Sequence, residues 1–581
     1  MNARKIAVLS AGLIAASACG SGQTAAKASA VSLVSGNGQT AKAGAPLPAS
    51  LVVKVTDSSG APIAGFPIAW SSTSGAVGAP VSQTASDGTA SATATLGPAP
   101  GTQSFVATAA GLTGSPVTFT ATAATALSCP AAPSCAPPVV VASPTPACGI
   151  LNPCPTSRPV TCAKPVIPGP AVVAHHAVHP VNDPVSIDVP AGTASLTIVE
   201  QAISAPDSIT INGTITIPNV AVPDKLRDPL GTLIYDDNPP SPPPADPSGE
   251  LVFFASSSPV TSAFTIPNTT PMLQRTAQGL SPGIWQFRVN DFAFECLGAS
   301  NCAGGSNASR YDVTVLLKPS ASAASGSLDV AFYLVGPALL ARDAPSDPGV
   351  KRMIATLAGI YASAGICLRN VTFYDVPSWA ETAFGVMNAD DASPCGDLDQ
   401  MFRLSVPGNK LDFFLVGSLV ATSQGGATVV GIDGTIPGPS GFGGTIHSGA
   451  AVNAADLPSV AGCTGPLDVV HCGPDRVAYI GAHEGGHWLG LYHTTELAGE
   501  DFDPLADTAK CPCETCAPVT QRANCNNSDP SLTTPMDGAS CTASTACGGG
   551  DDLMFWVLGA ESLGTLSCEQ SAVMRANPAV Q

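Results

Sequence analysis

The stretch Ala482-His483-Glu484-Gly485-Gly486-His487-Trp488-Leu489-Gly490-Leu491-Tyr492-His493 decides how the C-terminal part of the chain is read. His483 and His487 stand four residues apart, so on a helix both imidazoles lie on one face, a turn apart, within reach of one metal ion. Glu484 beside them suits a base acting on a water at that ion. Gly490 can take the left-handed conformation that ends a helix and turns the chain back, which lets His493 supply a third imidazole. Three protein ligands leave a fourth position open, the arrangement of a catalytic zinc rather than a closed structural one.

The whole chain gives this stretch its setting. At 581 residues it exceeds what one core can hold, so several domains are expected. Only 11% of residues are charged while Gly and Pro number 58 and 55, a composition of sandwiches and loops. The net charge of −19 and the absence of a Lys/Arg cluster argue against nucleic acid as a partner. Arg4 and Lys5 precede the apolar run Ile6 to Ala18, which reads as an export signal over residues 1–19. It ends Ala16-Ser17-Ala18-Cys19-Gly20, which resembles a bacterial lipoprotein cleavage box with Cys19 as the acylated residue; the alternative is an ordinary secretory signal cut nearby. No other segment reaches about 18 uninterrupted apolar residues, so membrane contact is expected only through such a lipid anchor. Setting Cys19 aside leaves 18 cysteines: five in a Pro-rich stretch, two at Cys296 and Cys302, and eleven from Cys367 onward. Five and eleven are odd, so with Cys296 and Cys302 expected to close a short loop together, full pairing should join the Pro-rich stretch to the last domain by at least one disulfide.

In chain order, residues 20–30 form a tether and 31–125 a first β-sandwich. The sandwich reading rests on Leu51 to Val55, the turn Asp57-Ser58-Ser59-Gly60, Pro67 to Trp70, the hairpin signal Asp87-Gly88-Thr89, and the strands Phe105 to Thr108 and Val117 to Thr120. The run Val52 to Trp70 resembles bacterial Ig-like domains of the invasin and intimin type, which implies a spacer or display role. Residues 126–180 read as a Pro/Cys-rich linker ending in His175-His176-Ala177-Val178-His179, histidines that are either solvated or metal-binding. Residues 181–320 read as a second, jelly-roll-like sandwich that includes Leu251 to Phe254 and Ile284 to Val289. Residues 327–581 read as an α/β domain with one mixed sheet: the strand Leu328 to Val335, a helix capped by Asp347 and ended by Gly365, further strands, and the histidine helix from about Asp475 to Leu489.

The extended pattern HExxHxxGxxH makes this last domain resemble the metzincin zinc endopeptidases, with His483, His487 and His493 as ligands of one zinc ion (Zn2+) and Glu484 as base. Such enzymes carry a methionine turn beneath the metal. Met554 and Met536 are the candidates, and Met554 is preferred because the segment after it reads as a closing helix capped by Ser567. Within the family the pattern resembles the pappalysin-like branch, through Leu553-Met554, Gln570 in the closing helix and Asp507-Thr508 after the histidines. Two glycines inside the catalytic helix and Trp556 in place of a tyrosine depart from the pattern. The resemblance implies an extended peptide pairing with a sheet edge, for which Thr428, Val429, Val430, Gly431 and Ile432 are the candidate strand.

Three further readings attach to the same region. Asp501, Asp503 and Asp507 could hold calcium (Ca2+), form a solvated acidic loop, or, for Asp507, brace a zinc ligand. Cys511, Cys513 and Cys516 could bind a second zinc but are expected to pair. A linker thiol such as Cys162 could occupy the open zinc position, against the simpler expectation of an interdomain disulfide. The leading expectation is a monomeric, secreted or lipid-anchored zinc endopeptidase acting on protein or peptide. The rival is a surface adhesin with a catalytically inactive metalloprotease-like domain.

Overall fold

The computed structural model describes residues 27–124 (without 45, 48 and 100), 132–144, 171–236 (without 203–207, 212–214 and 219), 261–292, 310–319, 324–389 (without 337), 396–421, 429–525, 535–543 and 547–581. Cys19, Leu251 to Phe254, Cys296, Cys302, Cys162 and Thr428 lie outside them. The chain is multidomain and mostly β, with several sheets, and divides into two compact units, 1–126 and 127–581.

In the first unit a three-stranded and a five-stranded sheet enclose a core around Trp70, Phe105 and Phe119. Strand Leu51–Asp57 alternates buried and half-buried residues, as a sheet with one face on a core must. The Asp57 carboxylate accepts from Ser59 and Ala61 and so ties the turn that ends this strand. Asp87 does the same for its hairpin through Thr89.

The stretch read as a linker supplies two strands. Val139–Ala142 joins the edge of the C-terminal sheet, parallel to Ile366–Asp375, and the disulfide Cys135–Cys367 holds it there. Val172–Pro180 is the edge strand of the second sandwich. Both are rich in Val, whose branched side chain favours extended backbone, and proline punctuation masked that signal. The sandwich pairs the sheet Val172–Pro180, Arg310–Pro319, Thr193–Ala202, Thr261–Ile266 with the sheet Pro184–Val189, Gly283–Phe292, Val220–Arg227, Leu233–Tyr235, over a core of Phe264, Trp285, Phe287 and Tyr311.

The C-terminal sheet has, among the described residues, the order Val139–Ala142, Ile366–Asp375, Gly326–Leu334, Leu411–Val416, Ala450–Asn453, Gly431–Asp433. Only the last strand pairs antiparallel. Every residue of Leu411–Val416 is buried, as a parallel strand covered on both faces requires. One face stacks Phe332 between Phe373 and Phe413 at 5.2 Å and carries the helices Pro348–Ser363 and Gly473–Trp488. The first helix is capped by Asp347, whose side chain accepts from the Val350 N–H. It anchors the second through Arg352 and Thr356, which donate to the buried Asp475 carboxylate at 2.6–2.7 Å. Burial opposes charge on Asp475, yet these hydrogen bonds hold its pKa below the usual range.

The closing helix, Cys568–Ala576, lies between the second sandwich and this domain. Its N-terminus has a capping box between Ser567 and Gln570. Its last carbonyls are buried and take donors from the sandwich: Ser195 Oγ to Ala576 O at 2.6 Å, and Lys318 Nζ to Arg575 O and Asn577 O. No described helix is long and apolar enough to cross a membrane.

Candidate metal centre

The helix Gly473–Trp488 carries His483, Glu484 and His487, and its two internal glycines have a packing reason. A methyl on Gly485 would stand 2.1 Å from the Tyr361 hydroxyl and 2.8 Å from Leu411, and one on Gly486 would stand 2.6 Å from the Met554 sulfur. Only glycine lets the helix lie this close to the sheet and to Met554, which offsets a helix-propensity cost of about 1 kcal/mol each. Gly490 has φ +111°, and the Leu491 N–H returns to Gly486 O, which ends the helix and swings His493 back.

The three imidazoles converge. His493 Nε2 lies 3.2 Å from His483 Nε2 and 3.1 Å from His487 Nε2. Each Nδ1 is committed elsewhere: His483 donates to Leu553 O at 2.6 Å, His487 to Leu491 O at 2.7 Å, and His493 faces Glu496 Oε1 at 3.0 Å. With the Nδ1 positions protonated, the Nε2 atoms present three lone pairs to one another, which no hydrogen bond among them can satisfy. Their spacing approaches the edge of a tetrahedral nitrogen set around zinc, roughly 3.3 Å. Burial and then His493 push His483 down to about 3, and burial pushes His487 well below its ordinary value, so both imidazoles are neutral and fit to ligate. Among the described residues this is the one group of three that could hold a metal.

Glu484 is buried beside the trio. Burial, then the neighbouring Asp433, push its carboxyl well above the usual range, while a hydrogen bond from the Asp433 backbone pulls the other way. Its Oε1 is 2.4 Å from where a Gly431 side chain would begin, so it sits against the strand Gly431–Asp433. That strand is the antiparallel edge of the sheet, registered against Ala450 to Val452. Val429 and Val430 precede it as coil, with Val430 O accepting from the Asn453 N–H.

Met554 is fully buried against Gly486, and its carbonyl accepts from the Thr494 N–H. Met536 instead belongs to a cluster with Cys511, Cys513, Cys516 and Cys541. These cysteines are in the disulfides Cys511–Cys541, Cys513–Cys525 and Cys516–Cys547, so a second zinc on them is excluded. The three aspartates after the histidines diverge. Asp503 takes Lys510 and Thr508. Asp507 accepts from Ser567 Oγ at 2.6 Å and the Glu569 N–H at 2.9 Å, serving the closing helix rather than a histidine. Asp501 is exposed, and its carbonyl accepts from Glu496.

Three residues of the site escaped the sequence reading. Glu496 orients His493; its three-residue offset was a usable signal. Burial opposes its charge, but the hydrogen bond from His493 holds it below the usual range. Asp433 is pushed up to about 7 by burial, against the pull of His493, and only the fold brings it to Glu484. Asp552 accepts from the Met554 N–H at 2.8 Å and from Gln570 Nε2 at 2.9 Å, which ties the segment at Met554 to the closing helix.

No family model matches the chain, and no curated protein matches it. Solved structures with local likeness include a C-terminal fragment of intimin in complex with the translocated intimin receptor, at 17% identity over 17% of this chain and 34% of that one, with a TM-score of 0.14. Adhesin InvE of Yersinia pseudotuberculosis matches at 14% identity over 52% and 61%, with a TM-score of 0.15. Metalloproteinase-II from Bacteroides fragilis matches at 12% identity over 33% and 58%, with a TM-score of 0.18. The chain thus spans less than two thirds of each.

Proposed function

We propose that this protein is a zinc-dependent endopeptidase. One observation carries the reading: three Nε2 lone pairs converge, each with its Nδ1 held, beside a buried carboxylate. His483, His487 and His493 would hold the ion. When bound, a zinc ion there would acidify a water and polarise a peptide carbonyl. Glu484 takes the proton from the attacking water and hands it to the leaving amine. Its poorly solvated carboxylate is a stronger base than one in water. Asp433 and Glu496 set the local charge, and Leu553 O and Leu491 O keep the ligand rings in their tautomers. An extended peptide would pair with the edge of Gly431–Asp433 that is open among the described residues, in continuation of the sheet.

On this reading the chain is exported as a monomer, with Cys19 as lipid carrier or a signal cut near it. Calcium on the loop bearing Asp501, Asp503 and Asp507 is a lesser part of the proposal. The competing adhesin reading draws on the Ig-like first unit and predicts no hydrolysis by zinc-loaded protein. A peptide-library digest with and without chelator, run beside Glu484→Gln, separates the two. The variant is expected to keep its zinc and lose about 100-fold or more of kcat. Cleavage by the variant at the wild-type rate would overturn the proposed role.

A further inference from the structure

We propose that His175 and His179 form a second divalent-metal site, at the rim of the second sandwich and separate from the three-histidine centre. The two residues lie on the same face of the edge strand Val172–Pro180, registered opposite Val315 and Tyr311. Four residues of strand set their Cα atoms about 13 Å apart. Yet their rings lean together to a centroid distance of 5.0 Å, and their Nε2 atoms meet at 2.7 Å. Ala177 is the same-face residue between them, and its methyl leaves the space for this. His179 Nδ1 donates to Asp183 Oδ2 at 2.7 Å, so His179 Nε2 carries a lone pair aimed at its neighbour. A carboxylate on the far nitrogen of an imidazole is the arrangement that fixes the tautomer and raises the basicity of a metal-ligating histidine.

Without metal, His175 donates Nε2–H to His179. With metal, that proton would move to Nδ1 through solvent and both Nε2 atoms would face the ion, which requires the two Nε2 atoms to part to roughly 3.3 Å. Two imidazoles with water in the remaining positions suit Zn2+, Ni2+ or Cu2+ rather than Ca2+ or Mg2+. His176 is on the opposite face, 2.9 Å from Thr314 Oγ1, and takes no part. The site is therefore the geometry of a pair and not a histidine-rich tract.

Titration of the metal-stripped full chain with Ni2+ alone tests this. Wild type is expected to bind two equivalents. His175→Ala or His179→Ala should bind one, with an unchanged circular-dichroism spectrum. Asp183→Asn should weaken the second equivalent about tenfold. His176→Ala should leave both. In a chain carrying His483→Ala and His487→Ala, one equivalent should remain and be removed by His175→Ala. Two equivalents persisting in both His175→Ala and His179→Ala would overturn the proposal, as would equal loss in His176→Ala. Peptide hydrolysis is measured alongside, so failure of this site and failure of the zinc endopeptidase reading are read separately.

Discussion

The two sandwiches look alike in sequence and differ in how their strands are buried. In the first, Leu51–Asp57 and Gly101–Thr108 bury every second residue. In the second, Thr261–Ile266 is buried throughout, and Arg310–Pro319 is buried at all but its two ends. The reason lies on the outer face. Ser195 opposes Lys318, and Thr197 opposes Thr265 with their hydroxyls 2.9 Å apart. These polar side chains are sealed against the C-terminal domain, with Lys318 only 1% exposed. Ser195 and Lys318 satisfy the buried carbonyls at the end of the closing helix. Thr270 adds a hydrogen bond to Glu569 and accepts one from the Ala506 N–H at 2.7 Å. A polar stripe on a strand therefore marks either solvent or a polar partner, and in the second sandwich it marks a polar partner.

That contrast can be broken by experiment. The largest effect is expected from excising residues 171–319. The sheet and closing helix would lose their cover, and the remaining chain should neither stay soluble nor cleave peptide; a cooperative melting transition with activity would show the sandwich to be dispensable. Next, Lys318→Met leaves the Arg575 and Asn577 carbonyls without their donor, a loss of about 1–3 kcal/mol in denaturant unfolding. The same lysine gives a pH signature. Burial pushes its pKa down to about 7, while the unfolded chain keeps the proton to about 10.4. The unfolded state thus binds more protons between those values, and stability rises with pH across that window, by up to about 1.4 kcal/mol per unit. This contribution should vanish from the wild-type minus Lys318→Met difference above about pH 10 and level off below about 7. The smallest effect is expected from removing residues 27–124, a compact unit by itself: kcat/KM on a short peptide should not change. A drop there would make the first sandwich part of the catalytic body too.

Much of the site was legible because its information is local. Helical periodicity aligns His483 with His487, a glycine with positive φ brings back His493, and Ser567 with Gln570 spells a capping box. Gly485 and Gly486 stood out in the sequence, but not the partners they let approach, Tyr361 and Met554. The odd cysteine counts led to the expectation of a bond from the Pro-rich stretch to the last domain, and Cys135–Cys367 is one. The strands at Val139–Ala142 and Val172–Pro180 were hidden because neighbouring prolines made a composition-based reading outweigh short Val-rich runs.

What the chain dictates on its own extends about a turn or a hairpin in each direction, since backbone geometry and side-chain type act at that range. It suffices for three imidazoles and a carboxylate. Which methionine lies beneath them, which aspartate faces Glu484, and whether a polar strand face meets water or a helix end depend on residues tens to hundreds of positions apart. Those contacts form only when the sheet closes, because burial and the need to pair every buried polar group are properties of the packed molecule.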